Sequence, residues 1–336
     1  MGRGWHDLSR LSVVEVILPS VETVASSFQD LPGGDRQLFK EYLKSVLEFQ
    51  RLRNIVYGGF EGYTFLPVEA FKRAAVCCFD PETAETVFES SGTGGSTPSR
   101  HYVKDLQIYD RAIDVGFEIA FGTAPSIILG HLPSYAAQSS LVYMVNHLID
   151  HIGAQGSCLF LNDRHLLEAA ISGSEQTGHR LILFGASFGL LDLVEKQAIR
   201  LPEGAILVET GGMKTHKREI GRGELHERLA NGFSIPLSSV RSEYGMCELM
   251  SQFYTRHDGL FYGPPWTDIK ILDPLDPHRE MPEEEEGVLA IFDLANVYSA
   301  SAILTADRAT RHGSGFKVHG RLSGAELRGC NFLLET

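Results

Sequence analysis

From residue 126 to about residue 232 the chain alternates two textures, and this alternation restricts the available folds more than any other feature. Short β-branched runs, "SIILG" (126–130), "LILFGAS" (181–187) and "GAILVETGG" (204–212), are separated by stretches of helical spacing. Those stretches are "SLVYMVNHLI" (140–149), "GLLDLVEK" (189–196) and "GELHERLANG" (223–232). Strands that alternate with helices pair in parallel, because each crossover must carry the chain back to the starting edge. The expected body is a mainly parallel sheet covered by helices.

After about residue 265 the pattern changes. "DIKILD", "GVLAIFDL", "SAILTAD" and "FKVHGR" read as strands joined by turns without helices between them, an antiparallel or barrel-like subdomain. The acidic run at 283–286 falls between two of these strands and reads as a solvated loop. No repeat and no long Pro/Ser linker separates the two textures. The expectation is a single domain over residues 1–336, an α/β body to about 264 and a β-rich part from about 265. Upstream, Leu38, Phe39, Tyr42, Leu43, Val46 and Leu47 recur at helical spacing and predict a helix over 35–54.

Composition narrows the function. Forty-three acidic against thirty basic residues leave a formal charge of −13, with the basic residues scattered, so neither nucleic acid nor an anionic membrane surface is the expected partner. No stretch approaches the roughly twenty apolar residues of a membrane span. Glu15 interrupts the apolar run at the N-terminus, which does not read as a signal peptide. Cys77, Cys78, Cys158, Cys247 and Cys330 form neither a CxxC pair nor an even framework. Zinc and structural disulfides are not expected, and the reducing cytoplasm is the expected compartment.

Two motifs compete for the chemistry. "ESSGTGGSTPSRHY" (89–102) holds three glycines and six serine or threonine side chains. Glycines let successive backbone N–H groups converge on an anion, and Ser and Thr add donors. Leu106, Tyr109, Ile113, Phe117 and Phe121 then follow at helical spacing, so the loop is expected to run into a helix whose N-terminus favours phosphate. The rival is "GASFG" (185–189), which fits the nucleophile elbow G-x-S-x-G between a strand and a helix. A hydrolase would use Ser187, with Asp273 or Asp307 and His312 or His319 completing a relay.

Three later segments favour phosphate chemistry. "SEYGMCELMSQ" (242–252) places Tyr244, Gly245 and Glu248 within five residues: an aromatic face, a tight turn and a carboxylate suited to Mg²⁺. "LTADRATR" offers Asp307, and "HGRLSGAELRGC" offers Arg321. In this order the loop, "YGMCE", "TAD" and "GRLSGAELRG" resemble the motifs of the acyl-adenylate-forming superfamily of acyl-CoA ligases and adenylation domains. The likeness runs from about Phe79 onward. It is nearest to the acyl-protein synthetases related to the bioluminescence fatty-acid component, through "LPSYAAQSSLVYM", "VETGGMK", "PPW" and the terminal "RGCN".

The resemblance implies the large-domain fold of that superfamily, with layered, mainly parallel sheets and helices and a β-rich C-terminal part. It also implies a set of roles. Ser90, Ser91, Gly92, Thr93, Gly94 and Gly95 would hold the β- and γ-phosphates of ATP, with Arg100 lending positive charge. Thr210, Gly211 and Gly212 would border the adenine and Tyr244 would stack on it, Gly245 would belong to the same nucleotide site, and Cys247 would stand where the superfamily has threonine. Glu248 would hold Mg²⁺, Asp307 would accept from the ribose hydroxyls, and Arg321 would sit near ribose and α-phosphate. Tyr135, Ser187 and Phe188 are the expected acyl pocket. A carboxylic acid, fatty or aryl, would become an acyl-AMP, then pass to a thiol: Cys330, coenzyme A, a carrier protein or the cysteine of an acyl reductase partner.

The chain departs from the pattern at three points. Cys247 offers only a weak donor, Ser323 replaces the aspartate of the hinge segment, and no lysine closes the phosphate loop. The chain stops about seven residues after "GRLSGAELRG", so the small C-terminal domain with the adenylation lysine is expected to be absent. A degenerate nucleotide-binding subunit that depends on a partner is therefore a further reading beside the Ser187 hydrolase.

Overall fold

The computed structural model describes residues 19–90, 97–133, 135–161, 163–196, 199–211 and 220–322. The first helices are α1 (Val21–Ser27), α2 (Arg36–Arg53) and α3 (Ile55–Gly58). Asp35 caps α2 by accepting from Leu38 N, and Asn54 ends it while its side chain accepts from the amides of Val56 and Tyr57 to start α3. The short strand β1 (Leu66–Pro67) and the helix α4 (Ala70–Arg73) follow.

The glycine-rich loop connects β2 (Thr86–Glu89) to β3 (Arg100–Val103), an antiparallel pair with Phe88 opposite His101. The helix α5 (Leu106–Phe121) starts only after β3 and is capped by Asp105, which accepts from Gln107 N. The expected passage from loop straight into helix is thus replaced by a hairpin. "RHYV" returns the chain along β2 before α5 begins.

The body alternates as its texture predicts: β4 (Ser126–His131), α6 (Ser140–His147), β5 (Cys158–Leu159), α7 (Arg164–Thr177), β6 (Arg180–Ala186), α8 (Ser187–Lys196), β7 (Ile206–Thr210), α9 (Arg222–Phe233) and β8 (Val240–Tyr244). These strands pair in parallel in the order β5-β4-β6-β7-β8. Both faces are covered, which is why the strands read as unbroken apolar runs rather than alternating ones. Ile127, Leu129, Leu181, Leu183 and Leu207 pack with Leu190, Leu225 and Phe233 of α8 and α9. Their neighbours Ile128, Ile182, Phe184 and Val208 face the opposite way, toward Ile113 and Phe117 of α5 and Val145 of α6.

At β8 the sheet changes direction. It continues through the antiparallel strands β9 (Phe253–Thr255), β10 (Phe261–Tyr262), β11 (Thr267–Leu272), β12 (Gly287–Asp293), β13 (Ala302–His312) and β14 (Gly315–Arg321). From β8 the path is β9, β10, β14, β13, β12 and β11. A further core of Phe253, Phe261, Ile269, Leu289, Ile303 and Phe316 lies under these strands. Among the described residues no helix is long and apolar enough to cross a membrane.

Candidate active site

The change of direction at β8 puts the motif residues together. Tyr244 is the last residue of β8, and its ring meets Phe253, Phe261 and Phe316 edge-on at 6.2, 5.8 and 5.8 Å. Its hydroxyl donates to Asp307 Oδ2 at 2.9 Å. Asp307 on β13 stands opposite Arg321 on β14, whose Nε lies 3.4 Å from Asp307 Oδ1. Burial, with the Asp307 charge beside it, holds the Tyr244 phenol well above its ordinary range, so the hydroxyl remains a donor.

Glu248 follows four residues later, 5% exposed. Burial pushes its carboxyl up, while the Ser99 hydroxyl and the charges of Lys72 and Arg321 pull the other way. Asn296 Nδ2 donates to Glu248 O at 2.8 Å, which fixes the turn from below. His101, buried and held neutral with its pKa lowered to about 4 by burial, fixes it from the side. Its Nδ1 bonds Cys247 O at 2.8 Å and its Nε2 bonds Ser299 Oγ at 2.9 Å. A carbonyl only accepts, so Nδ1 carries the proton and the serine donates to Nε2.

The neck of the glycine-rich loop closes on the same turn. Ser90 N donates to Ser99 O at 3.1 Å, Ser99 N donates to Ser90 Oγ at 2.9 Å, and the Cys247 thiol lies 3.9 Å from Ser99 O. Cys247 is thereby turned toward the loop's base. Arg100, at the start of β3, is exposed and pairs with Glu89 at 3.1 Å. Ser91, Gly92, Thr93, Gly94, Gly95, Gly212 and Cys330 lie outside the described residues.

A second polar group lines the ends of β6, β7 and β8. Gly211 has φ +94°, a conformation that disfavours a side chain, and a Cβ there would stand 2.7 Å from the Tyr135 hydroxyl. Ser187 is buried and donates to Glu209 Oε2 at 2.6 Å. Phe188 sits half-buried on the first turn of α8. Glu209 Oε1 faces His226 Nε2 at 3.3 Å and Arg222 Nε at 3.7 Å. Burial alone would raise the Glu209 carboxyl; His226, Arg222, Ser187 and Ser242 outweigh it, and its pKa is lowered. Glu243, in contrast, is pushed up to about 7 by burial, helped by the nearby charge of Glu209 and opposed by its bond from Thr210 Oγ1. Glu209, Glu243, His226 and His101 are the residues that motif reading missed. The available signal was a glutamate inside each β-branched run, "VETGG" and "SEYG".

This arrangement lacks the relay of a serine hydrolase. Glu209 stands between Ser187 and His226, where a relay needs the histidine in the middle. Ser187 is not among the residues with left-handed backbone, whereas a nucleophile elbow is strained. His312 and His319 both bond Thr310 Oγ1 at 2.9 Å, and Asp273 pairs with Arg279.

No family model matches the chain, and no curated protein matches it. Solved structures do. An open conformation of 2-hydroxyisobutyryl-CoA ligase, in complex with 2-HIB-AMP and CoA, aligns at TM-score 0.59 and 12% identity over 86% of this chain and 70% of its own. The fold is that of the acyl-adenylate-forming ligases. ATP-bound MatB from Rhodopseudomonas palustris aligns at TM-score 0.51 and 13% identity, covering 70% of this chain and 47% of that one. McyG A-PCP complexed with phenylalanyl-adenylate gives TM-score 0.50 and 14% identity, covering 72% and 48%. On this fold, Tyr244, Glu248, Asp307 and Arg321 cluster around the carboxyl end of β8, where ligands of open α/β sheets bind. Among the described residues no group of three or more His, Cys, Asp or Glu side chains is placed to hold a metal ion.

Proposed function

We propose that this chain activates a carboxylic acid with ATP to form an acyl-AMP and then transfers the acyl group to a thiol. The observation that carries the reading is the bonded series Tyr244–Asp307–Arg321, with Glu248 and the loop neck Ser90–Ser99 beside it, built from segments far apart in the chain. Ser90 and the loop it closes bind the β- and γ-phosphates. Thr210, Gly211 and Gly212 border the adenine, as in the enzymes the sequence resembles. Asp307 accepts from the ribose hydroxyls, and Arg321 faces the α-phosphate.

Glu248 fits Mg²⁺: a single buried carboxylate suits an ion that keeps several waters and takes its other ligands from substrate phosphates. Bound there, the ion would supply neutralisation of phosphate charge. In the first step a carboxylate oxygen forms a bond to the α-phosphorus and the bond to pyrophosphate breaks. Positioning and neutralisation supply the catalysis, since such transfers need little covalent help. In the second step a thiolate attacks the acyl carbon and AMP departs. Cys330, coenzyme A, a carrier protein or the cysteine of a partner such as an acyl reductase would provide the thiol, as in the acyl-protein synthetases.

Carboxylate-dependent exchange of labelled pyrophosphate into ATP tests the first step. Exchange is expected with at least one acid and is expected to vanish in Glu248→Ala. Absence of exchange across fatty, aryl and hydroxy acids, or full exchange in the variant, would refute the assignment.

A further inference from the structure

Leu249 N donates to Met246 O at 3.1 Å, so Cys247 and Glu248 are the two central residues of a β-turn between β8 and β9. The carbonyls of such residues have no ladder partner, and burial makes these two depend on side chains. His101 Nδ1 donates to Cys247 O and Asn296 Nδ2 donates to Glu248 O, each at 2.8 Å. The two carbonyls belong to the peptide planes on either side of the Glu248 Cα. Because a peptide is planar, fixing the direction of both planes fixes φ and ψ at Glu248, and with them the direction in which its side chain leaves the turn.

Both donors are themselves held. Asn296 Nδ2 also donates to Ala300 O at 3.1 Å, while Asn296 Oδ1 is buried with no partner among the described residues, so this side chain acts through its donors. Ser299 Oγ donates to His101 Nε2. Asn296 and Ser299 lie in the segment 294–301 between β12 and β13, which α2 grips from behind. Gln50 Nε2 donates to Asn296 O at 2.9 Å and to Val297 O at 3.0 Å, and Gln50 Oε1 accepts from Ser301 N at 2.9 Å. Asn54 Nδ2 donates to Ser299 O at 2.9 Å. On the other side, His101 follows two residues after Ser99, whose bonds to Ser90 close the neck of the glycine-rich loop. One short stretch therefore ties that neck to the turn.

We propose that His101 and Asn296 are positioning residues: by holding the two carbonyls that flank the Glu248 Cα, they set the direction in which its carboxylate meets Mg²⁺. The inference rests on the assignment of Glu248 to the ion and extends it to the residues that act through Glu248.

The test pairs two replacements of His101. Asn carries its amide nitrogen on Cγ, as the imidazole carries Nδ1, and keeps the donor to Cys247 O. Gln carries it one atom farther out, toward Ser299, and loses that donor. Pyrophosphate exchange is titrated with Mg²⁺ at saturating ATP and acid, and melting is measured with ATP alone and with ATP plus Mg²⁺. His101→Gln is expected to raise the half-saturating Mg²⁺ by about five- to tenfold, the scale of one neutral hydrogen bond. It is also expected to shrink the melting shift that Mg²⁺ adds to that of ATP, and to leave KM for the acid unchanged. His101→Asn stays near the wild type in both readouts. Asn296→Leu, similar in volume and without donors, is expected to behave as His101→Gln does, and it carries the test should the His101 variants not fold. Ile182→Val, a buried change in the parallel core, lowers melting without moving the Mg²⁺ requirement, which separates positioning from loss of stability. An unchanged Mg²⁺ requirement in folded His101→Gln or Asn296→Leu, or an equal shift in His101→Asn and His101→Gln, overturns the proposal and leaves adenylation standing. A wild type without exchange, whose Mg²⁺-dependent melting shift weakens in His101→Gln and not in His101→Asn, would sustain the proposal while adenylation fell. A wild type with neither exchange nor a Mg²⁺-dependent shift would overturn both.

Discussion

Glu243→Gln should alter the pH dependence of stability in a direction that the structure dictates. In the unfolded chain this carboxyl loses its proton near the ordinary 4.5, and in the folded protein it keeps it to about 7. Between those values the folded state binds more protons, so rising pH removes stability, and below 4.5 both states are protonated and nothing is lost. The span of 7 − 4.5 = 2.5 corresponds to about 3 kcal/mol at 1.36 kcal/mol for each tenfold change in proton affinity. For a chain of 336 residues, an unfolding entropy of roughly 2.1 cal/mol/K per residue converts this to about 4 °C in melting temperature. Asp293, raised to about 6 by burial, and Glu248, also raised by burial, tilt the wild-type profile the same way. Both remain in the variant, so the informative quantity is the difference between the two proteins. Scanning calorimetry at about pH 5 and about pH 8 should show the variant gaining about 4 °C on the wild type as pH rises. A gap that stays constant with pH, or that favours the wild type at the higher pH, would refute the burial argument for Glu243.

Two further outcomes are expected. Tyr244→Phe keeps the ring among Phe253, Phe261 and Phe316 but removes the donor to Asp307, a bond to a charged group worth about 1.5–3 kcal/mol; the melting temperature should fall by about 2–4 °C and exchange at low ATP should weaken as Asp307 loses its orienting partner, whereas unaltered ATP dependence would separate Tyr244 from the nucleotide. A fluorophosphonate probe should leave Ser187 unlabelled, because its hydroxyl donates to Glu209 and no histidine accepts from it among the described residues; stoichiometric labelling lost in Ser187→Ala would restore the hydrolase.

The parallel half of the sheet was legible because crossover helices cover both of its faces. Ile127 and Ile128, or Leu207 and Val208, point to opposite cores and are equally apolar, which gives an unbroken run that no half-solvated strand would show. The passage after the glycine-rich loop was not legible. β3 is only four residues long, and so short a stretch carries little periodic signal beside the strong helical spacing of α5; only its pairing with β2 defines it. Tyr244, Asp307 and Arg321 were recognisable by their order along the chain, but their contact depends on the register that sets Asp307 opposite Arg321, a tertiary fact.

Glu209 and Glu243 escaped motif reading for a different reason. A carboxylate within a β-branched run reads as a residue on a wet face, and burial of both residues is visible only once α5, α6 and α9 cover the sheet. Their unequal treatment then follows from position. Glu209 lies one residue before the end of β7, within reach of Arg222 and His226 on α9. Glu243 lies one residue before the end of β8, on a face that offers it tyrosines and a threonine. Because side chains alternate along a strand, two consecutive residues of β8 meet different surroundings: Tyr244 turns to Asp307 and Arg321, and Glu243 to Thr210 and the tyrosines on the other side. A slip of one residue in β8 would exchange these faces, placing a carboxylate against Asp307 and an aromatic ring against Thr210. The Tyr244–Asp307 contact therefore depends on the register of β8.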